Sequence, residues 1–535
     1  MPSSTTSLPA LTPPAVNALT PAAPLETVIA TAFSNDKRID PLLEGPDFRF
    51  NKGSPVGTAV TVTYAFPDAL PSTYTGEDAK GWKAFSPEQR AATREVLSIL
   101  QQQINITFQE VPDTPTATGT MRFSNNDQGR TSSGYALFPE RNSNDMDADT
   151  WIAIGFDTNV VPGTYAFGTL VHEIGHAIGL NHPGNYNAGE SKSVDLVGNY
   201  LSVAEDTFYN SIESYRQSAQ GISGIWFQPY DMLALRYLYG KNNFNGGDTT
   251  YTYTDANGRL INNIVDDGGT DTLDFSALTV AVGLDLTPGK FSNVGKIANG
   301  GAALGNLTTS FDAVIENAIG TALGDTMQGN AVNNILVGGG GDDIVDGGKG
   351  NDTALYSGAR AAYTVTRTAT GLTVASTAEG TDTLTNIERL RFSDGWLAYD
   401  SAAGQNDGNA VLLLGAVLGN TLLGAKKPLI ATVGDFFDQG FTMQQLSGAV
   451  MRLPIWGALA AGGNATASNA QIAAWLLTTV NGAAPDAATL AAGVTALDTE
   501  SGADQGTYLS ILAASAANQT QVHLVGLQET GINLG

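Results

Sequence analysis

The chain contains no cysteine among its 535 residues. Disulfide bonds, thiolate metal sites and cysteine nucleophiles are therefore excluded. Any metal site must use histidine nitrogens and oxygen ligands. Histidine is also scarce, because the whole chain contains four, so a site built from several histidines would use most of them.

Basic residues are few as well, with 26 Lys and Arg against 52 Asp and Glu and a formal net charge of −26. This charge repels phosphate backbones and anionic lipid surfaces, so nucleic acid is not expected as a partner. Apolar runs fall short of the roughly 18 to 20 residues that cross a bilayer, which predicts no membrane-spanning segment. The first residues lack the basic and continuous apolar stretches of a secretory signal peptide.

The length predicts two to four domains, and changes in composition suggest where they divide. Residues 1–45, rich in Pro, Ala, Thr and Ser, indicate a largely flexible leader or propeptide. Residues 46–245 mix strand and helix patterns, 246–400 are rich in Gly, Asp, Asn and Thr, and 401–535 show helical Ala/Leu spacing. The predicted fold class is therefore multidomain, with an α/β domain, a coiled β region and a small α-helical domain.

Local signals predict individual elements. Ser86, Pro87 and Gln89 provide a capping box and a Pro at N1, which predicts a helix over Pro87–Gln103. Alternating or β-branched runs predict strands over residues 58–66, 104–111, 119–123, 134–138 and 151–156. Helices are predicted over 469–480 and 507–517.

Three of the four histidines fall within eleven residues, as His172, His176 and His182. His172 and His176 are four residues apart, so they lie on one face of a helix, one turn apart, and can share a tetrahedral zinc ion. Gly179 allows the helix to stop and the chain to turn back, which brings His182 round as a third ligand. Glu173 then lies beside the metal, where it can take a proton from a water that the metal has acidified.

The full pattern, H-E-x-x-H-x-x-G-x-x-H, is the metzincin signature, which is much more specific than H-E-x-x-H alone. Its continuation HPGNYNAG, residues 182–189, resembles the serralysin family of secreted bacterial zinc proteases in particular. Residues 134–139 are similar to the family's strand at the upper rim of the cleft, and 231–240 to its closing helix. The resemblance covers roughly residues 45 to 400.

The resemblance implies roles for further residues. Gly134, Tyr135, Ala136 and Leu137 would pair with an extended peptide substrate, and Tyr215 would support the oxyanion. Residues 211–215, SIESY, take the place of the family's Ser-Val/Ile-Met-Ser-Tyr turn, so Glu213 replaces its methionine. A carboxylate there can be harmless, can bind the metal or can distort the floor of the site, and its protonation state stays open.

A nine-residue period begins at Gly320, in the rows GTALGDTMQ, GNAVNNILV, GGGGDDIVD and GGKGNDTAL. The last two fit the calcium-binding repeat G-G-x-G-x-D-x-U-x, where U is apolar. Every available ligand is an oxygen, so calcium is expected rather than a transition metal. The predicted calcium residues are Asp325, Gly339, Gly341, Asp343, Gly348, Gly350 and Asp352. The resemblance implies that the repeats form a parallel β-roll, as in RTX proteins.

These features predict a secreted, extracellular or cell-surface-associated zinc endopeptidase that acts on protein or peptide substrates and carries one catalytic zinc and several structural calcium ions. The C-terminal end is apolar and nearly uncharged, which is compatible with recognition by a type I secretion machinery. The alternative is a catalytically silent RTX surface or assembly protein that retains a metzincin-like fold, and Glu213 is the feature that favours it.

Overall fold

The computed structural model describes residues 33–45, 47–114, 119–129, 132–139, 146–184, 186, 200–216, 220, 223–224, 226–463, 466–499 and 505–534. Residues 1–32, which make up most of the predicted leader, lie outside the described residues. So do residues 185 and 187–189, which belong to the continuation of the histidine motif.

A mixed sheet with three helices forms the N-terminal region. Its strands are β1 (Val60–Ala65), β2 (Lys83–Ala84), β3 (Ile106–Glu110), β4 (Met121–Asn126), β5 (Gly134–Ala136) and β6 (Thr150–Ala153). The order is β3-β1-β4-β6-β5, with parallel pairing except that β5 runs antiparallel to β6 and β2 antiparallel to β4. Strand β5 therefore lies at an edge of the sheet.

The helices of this region are α1 (Pro87–Gln103), α2 (Tyr165–Ala177) and α3 (Pro229–Tyr239). Helix α1 has the bounds and the Ser86–Gln89 capping box that the sequence predicts. The predicted strands form at or near their expected places, each with ends shifted by a few residues. Helices and sheet enclose one apolar core that includes Val96, Leu100 and Ile174.

The predicted flexible leader extends to residue 45, yet its last residues are packed into this core. Leu42 and Leu43 are buried, and the backbone N–H of Asn181 donates to the Leu42 carbonyl at 2.8 Å. Apolar burial outweighs the loop-like composition here. The described fold thus includes residues before 45, and the Leu42 carbonyl supports the chain next to His182.

One short strand just before α3 and many short strands after it make up the next region. They are β7 (Ser223–Gly224), β8 (Thr250–Thr252), β9 (Leu260–Ile264), β10 (Thr272–Asp274), β11 (Gly283–Asp285), β12 (Phe291–Ser292), β13 (Leu307–Thr309), β14 (Asn317–Ile319), β15 (Thr326–Gln328), β16 (Ile335–Val337), β17 (Ile344–Asp346), β18 (Thr353–Leu355), β19 (Thr364–Arg367), β20 (Leu372–Ser376), β21 (Gly380–Thr385), β22 (Arg389–Phe392) and β23 (Gly395–Ala398).

Consecutive strands of the repeat region alternate between two sheets. One contains β14, β16 and β18 side by side, and the other β15 and β17, all in parallel. Partners across each pair are two nine-residue rows apart, as in Met327 opposite Val345. The apolar residue of each row, Met327, Leu336, Val345 or Ala354, lies at the centre of a strand and is buried between the sheets.

The C-terminal region is helical, and its last strand returns to the β region. The elements are α4 (Asn406–Ala425), α5 (Lys427–Asp438), α6 (Met443–Met451), α7 (Trp456–Ala460), α8 (Asn469–Asn481), α9 (Ala487–Thr499), α10 (Gln505–Ala514), α11 (Ala516–Gln521), α12 (Leu524–Thr530) and β24 (Ile532–Asn533). Strand β24 pairs antiparallel with β23.

Two details of this region differ from the sequence prediction. The helix predicted over 507–517 is divided between α10 and α11, because the Ser515 side chain caps α11 by accepting from the Asn518 N–H. Helix α4 has the length and composition of a membrane span, although no such segment is predicted from apolar runs. Of its most apolar window, 56% is buried within the protein, and Gly419 interrupts the helix with a φ of 71°.

Candidate metal centre and substrate cleft

Helix α2 carries His172 and His176. It ends early enough for the chain to turn back and bring His182 to the same place. Thr164 caps its N-terminus by accepting from the Phe167 N–H, and the helix ends at Ala177. Gly179 has a φ of +110°, and a Cβ there would lie 2.6 Å from the Phe48 carbonyl oxygen. Only glycine fits this turn, which returns the chain so that His182 faces the helix.

Each of the three imidazoles is oriented by a backbone carbonyl. The Nδ1 atom of His172 lies 3.0 Å from the Ile212 oxygen, that of His176 lies 2.7 Å from the Leu180 oxygen, and that of His182 lies 3.2 Å from the Tyr186 oxygen. A carbonyl only accepts, so each Nδ1 carries the proton and each Nε2 presents a lone pair. Burial also lowers the pKa of His176 and His182, which keeps both in the neutral, metal-binding form.

The Nε2 atoms converge on one point. His182 Nε2 lies 3.1 Å from His176 Nε2 and 3.3 Å from His172 Nε2. Two ligands at the usual Zn–N distance in a tetrahedral site are separated by about 3.3 Å. Three lone pairs at this spacing fit a zinc ion. The three Nε2 atoms cannot hydrogen-bond to one another, because none of them carries a proton.

Glu173 points from the next position of α2 into the same space. Its side chain is buried, and its Oε2 atom has no hydrogen-bond partner among the described residues. Burial raises the pKa of Glu173 to about 7, while the nearby His172 lowers it and Glu213 raises it. A carboxyl group with this pKa can both accept and return a proton near neutral pH.

Tyr215 packs over the histidines from the turn that follows. Its ring centroid lies 4.6 Å from that of His182 and 5.9 Å from that of His172. Burial raises the pKa of Tyr215 above its ordinary value, and the charges of Glu173, Glu213 and Tyr165 add to this effect. The phenol therefore stays protonated and can donate a hydrogen bond.

Two buried aspartates that sequence reasoning did not select hold the 211–216 turn in place. Asp231 accepts from the Ser211 hydroxyl at 2.6 Å and from the Ile212 N–H at 2.7 Å. Asp206 accepts from the hydroxyls of Tyr186 and Ser214 at 2.7 and 2.6 Å. Asp231 also forms the capping box of α3 with Gln228, a signal that a search for helix starts detects. Asp206 has no comparable local signal.

Glu213 lies beneath the histidines and is fully buried. Its Oε2 atom is 3.0 Å from His172 Nδ1 and 3.5 Å from His176 Nε2, and neither carboxylate oxygen has a hydrogen-bond partner among the described residues. Burial raises its pKa well above the ordinary value, against a lowering by His176 and with a further rise from Asp231. This pocket favours the neutral acid, although the carboxylate is also within reach as a fourth metal ligand.

Strand β5 runs directly along the histidine face of α2. A Cβ on Gly134 would lie 2.7 Å from Glu173 Oε1, and the Phe138 ring is 5.7 Å from that of His176. Tyr135 stacks on Trp151, and the Leu137 N–H donates to the Asp149 carbonyl. Among the described strands, β5 pairs only with β6. Its other edge is thus available along Gly134, Tyr135, Ala136 and Leu137.

The repeat carboxylates are buried at the turns between strands. One oxygen of Asp343 accepts from the Asp325 N–H and one of Asp352 from the Asn334 N–H, at 2.8 and 2.7 Å. The other oxygen, Oδ2, is buried in both Asp343 and Asp352 and has no hydrogen-bond partner among the residues that the structure describes. Burial raises the pKa of both to about 7. Buried, unpartnered carboxylate oxygens are hard ligands that fit a calcium ion.

The predicted glycines make the close turns of these rows. Gly339, Gly341, Gly348 and Gly350 all have positive φ, between +92° and +134°. A Cβ on Gly348 would lie 2.5 Å from the Asn330 carbonyl oxygen, one coil turn away. Asp325 lies apart from this pattern, because both of its oxygens accept hydrogen bonds from Val282 and Thr321.

Two acidic residues outside the predicted set join these turns, and a third lies in an earlier segment. Asp382 accepts from the Asp343 N–H, and Glu388 from the Asp352 N–H. Asp271, in the segment DDGGTD, has a buried Oδ2 without a hydrogen-bond partner in the described chain. This segment contains the sequence Asp-Gly-Gly-Thr-Asp, which lies outside the regular nine-residue rows of residues 320–355.

Comparison with known proteins finds similar proteins over about half of the chain. The family model "Peptidase M10 serralysin C terminal" matches residues 234–413. The chain is 33% identical to Serralysin of Proteus mirabilis over 317 residues, which cover 53% of this chain and 62% of that protein. It is 31% identical to Metalloprotease AprA of Pseudomonas entomophila, over 51% and 59% of the two chains, and 31% to Serralysin B of Dickeya chrysanthemi, over 55% and 64%.

The chain thus spans about six-tenths of the length of these relatives. The matched C-terminal model and the named relatives point to one family, in agreement with the H-E-x-x-H-x-x-G-x-x-H motif. Over the matched residues the chain is similar to the serralysin family of metalloproteases.

Proposed function

We propose that the chain is a secreted, zinc-dependent endopeptidase that hydrolyses internal peptide bonds of proteins. The observation that carries the proposal is the convergence of three Nε2 lone pairs at 3.1 and 3.3 Å beside the buried Glu173 carboxyl group. His172, His176 and His182 would hold the zinc ion, which when bound supplies Lewis acidity toward a water molecule and the peptide carbonyl.

The remaining steps belong to side chains of the protein. Glu173 accepts the proton of the attacking water and returns it to the leaving amine, a role that its pKa of about 7 suits. The Tyr215 hydroxyl donates toward the carbonyl oxygen as negative charge develops there. The free edge of β5 pairs with the substrate main chain, so selectivity for side chains is expected to be broad.

Calcium is proposed as a structural ion of the repeat region, which we interpret as a parallel β-roll. The unpartnered Oδ2 atoms of Asp343 and Asp352 support this assignment, and Asp271 is a further candidate ligand. In a calcium-poor cytosol the buried carboxylates would destabilise the folded sheets, so the region would fold after export.

The C-terminal region is proposed to carry the address for a type I secretion machinery. Expression of the full chain and of a truncation lacking residues 476–535, together with the secretion apparatus, tests this. The truncated chain is expected to stay in the cell. Its appearance in the medium at the level of the full chain would contradict the assignment.

Casein hydrolysis by the full chain, with calcium present and with or without a zinc chelator, tests the proposed activity. Hydrolysis that chelator abolishes and zinc restores is expected. Glu173→Gln is the matched control, because it keeps the size of the side chain and removes the proton acceptor.

A catalytically silent surface or assembly protein is the second candidate, and the buried Glu213 beneath the histidines favours it. Because burial raises the pKa of this group and so favours its neutral form, we expect the natural chain and Glu213→Met to hydrolyse casein at similar rates. Activity in Glu213→Met alone would assign the natural chain to the second candidate.

A further inference from the structure

An exposed aromatic pair lies at one end of the proposed cleft. Tyr165, the first residue of α2, is 61% exposed, and Phe156 is 36% exposed. Their ring centroids are 5.4 Å apart at an angle of 51°. Two neighbouring aromatic rings with this exposure present apolar area that the described part of the chain leaves uncovered.

The pair is joined to the edge strand. The Tyr165 hydroxyl lies 3.1 Å from Ser133 Oγ, and Ser133 directly precedes β5. The next residue, Gly134, is in contact with Glu173. The aromatic surface is therefore continuous with the strand that would pair with a substrate.

Helix geometry places the pair at a defined distance from the histidines. Tyr165 is seven residues before His172, so both residues lie on one face, about 10 Å apart along the axis. An extended peptide advances about 3.3 Å per residue. A substrate side chain about three residues from the cleaved bond would thus reach the pair.

The direction of β5 determines which side of the bond this is. The strand runs from Ser133, beside Tyr165, toward Phe138, beside His176. A substrate that pairs antiparallel to β5 runs the opposite way. Its residues on the carboxyl-terminal side of the cleaved bond then pass over Tyr165.

We propose that Tyr165 and Phe156 form a subsite for a large apolar side chain, preferably aromatic, about three residues on the carboxyl-terminal side of the cleaved bond. This inference rests on the proposed peptidase function and names a selectivity for it. Main-chain pairing with β5 supplies most of the binding, and the aromatic pair selects among sequences.

Two quenched fluorescent peptides that differ only at the third residue after the cleaved bond, Phe or Ser, test the proposal with the zinc- and calcium-loaded full chain. Mass spectrometry establishes that both are cut at the same bond. The natural chain is expected to favour Phe by about two- to tenfold in kcat/KM. Tyr165→Ala should bring this ratio close to one, whereas Tyr165→Phe should keep it.

Ile511→Ala, which removes an apolar side chain that is 64% exposed in the helical region, serves as the matched control and should leave the ratio unchanged. Binding of the same peptides to Glu173→Gln, with and without Tyr165→Ala, measures the preference without turnover. If the preference persists in Tyr165→Ala, the subsite is wrong even though the chain is a peptidase. If Glu173→Gln binds with the preference but the natural chain hydrolyses neither peptide, the peptidase function fails instead.

Discussion

Gly175 and Glu213 lie in contact beneath the histidines, and the Oε1 atom of Glu213 occupies the space that a Cβ on Gly175 would need. Alanine is intrinsically favoured over glycine within a helix by about 1 kcal/mol. Here the collision should dominate, because Glu213 is fully buried. Gly175→Ala is expected to lower the free energy of unfolding by about 1 to 3 kcal/mol, measured by urea denaturation.

The control is Gly424→Ala in α4, where a Cβ would meet nothing within 4 Å. This variant should be neutral or slightly stabilising. The double variant Gly175→Ala/Glu213→Ala should recover part of the loss, since the second change removes the colliding carboxylate. Equal stability of Gly175→Ala and the natural chain would show that the pocket relaxes around the new methyl group.

Zinc content should depend on the three converging histidines and not on the fourth. His176→Ala removes one of three ligands, and we expect it to retain much less than one zinc per chain after dialysis. His523→Ala is the matched control, because His523 lies at the start of α12 in the helical region. Elemental analysis checks both, and unchanged zinc in His176→Ala would contradict the ligand assignment.

The stability of the N-terminal region should depend on pH through Asp149. This buried carboxyl group accepts from the Tyr74 hydroxyl and the Arg122 N–H, and burial raises its pKa to about 8 from an ordinary value of 3.8. The folded state therefore holds the proton more tightly than the unfolded state. The contribution to stability is fully present below pH 3.8 and is lost as the pH rises to about 8.

Asp149→Asn keeps an acceptor for the Arg122 N–H and cannot ionise. Compared with this variant, the natural chain should lose up to about 1.4 kcal/mol of unfolding free energy per pH unit within this interval. Urea denaturation at several pH values with fixed metal concentrations measures the difference. Parallel pH profiles for the two proteins would show that Asp149 is ionised in the folded state.

Calcium affinity should decrease when the charge of Asp343 is removed. Asp343→Asn retains an oxygen that can accept from the Asp325 N–H, so the variant isolates the loss of charge. We expect the calcium midpoint for the gain of β signal in circular dichroism to rise at least severalfold. Asp68→Asn, at a side chain that is 86% exposed, should leave the midpoint unchanged. A spectrum indifferent to chelator would argue against calcium in the repeats.

Most of the features that the sequence predicted depend on a periodic pattern or on a signal within a few residues. The capping box of α1 predicted both ends of that helix, and the nine-residue rows predicted the apolar positions that the sheets bury. The spacing of His172, His176 and His182 likewise predicted that the three imidazoles share one site.

What the sequence could not predict depends on contacts between distant segments. Asp206 reaches Tyr186 and Ser214 across loops of no fixed period, so no local pattern reveals it. The raised pKa of Glu213 follows from complete burial, which is a property of the folded pocket. The sequence alone places Leu42 in the predicted leader, because its burial becomes apparent only when the core that covers it is known.

Because the repeat strands alternate between two sheets, losing an even number of rows affects the coil differently from losing an odd number. Each nine-residue row contributes one strand, and residues that pair within a sheet, such as Leu336 and Ala354, are two rows apart. Removing two adjacent rows would shorten the coil by one complete turn and leave every later strand in its own sheet. Removing a single row would transfer every later strand to the opposite sheet and present β22 and β23 to the helical region from the wrong side.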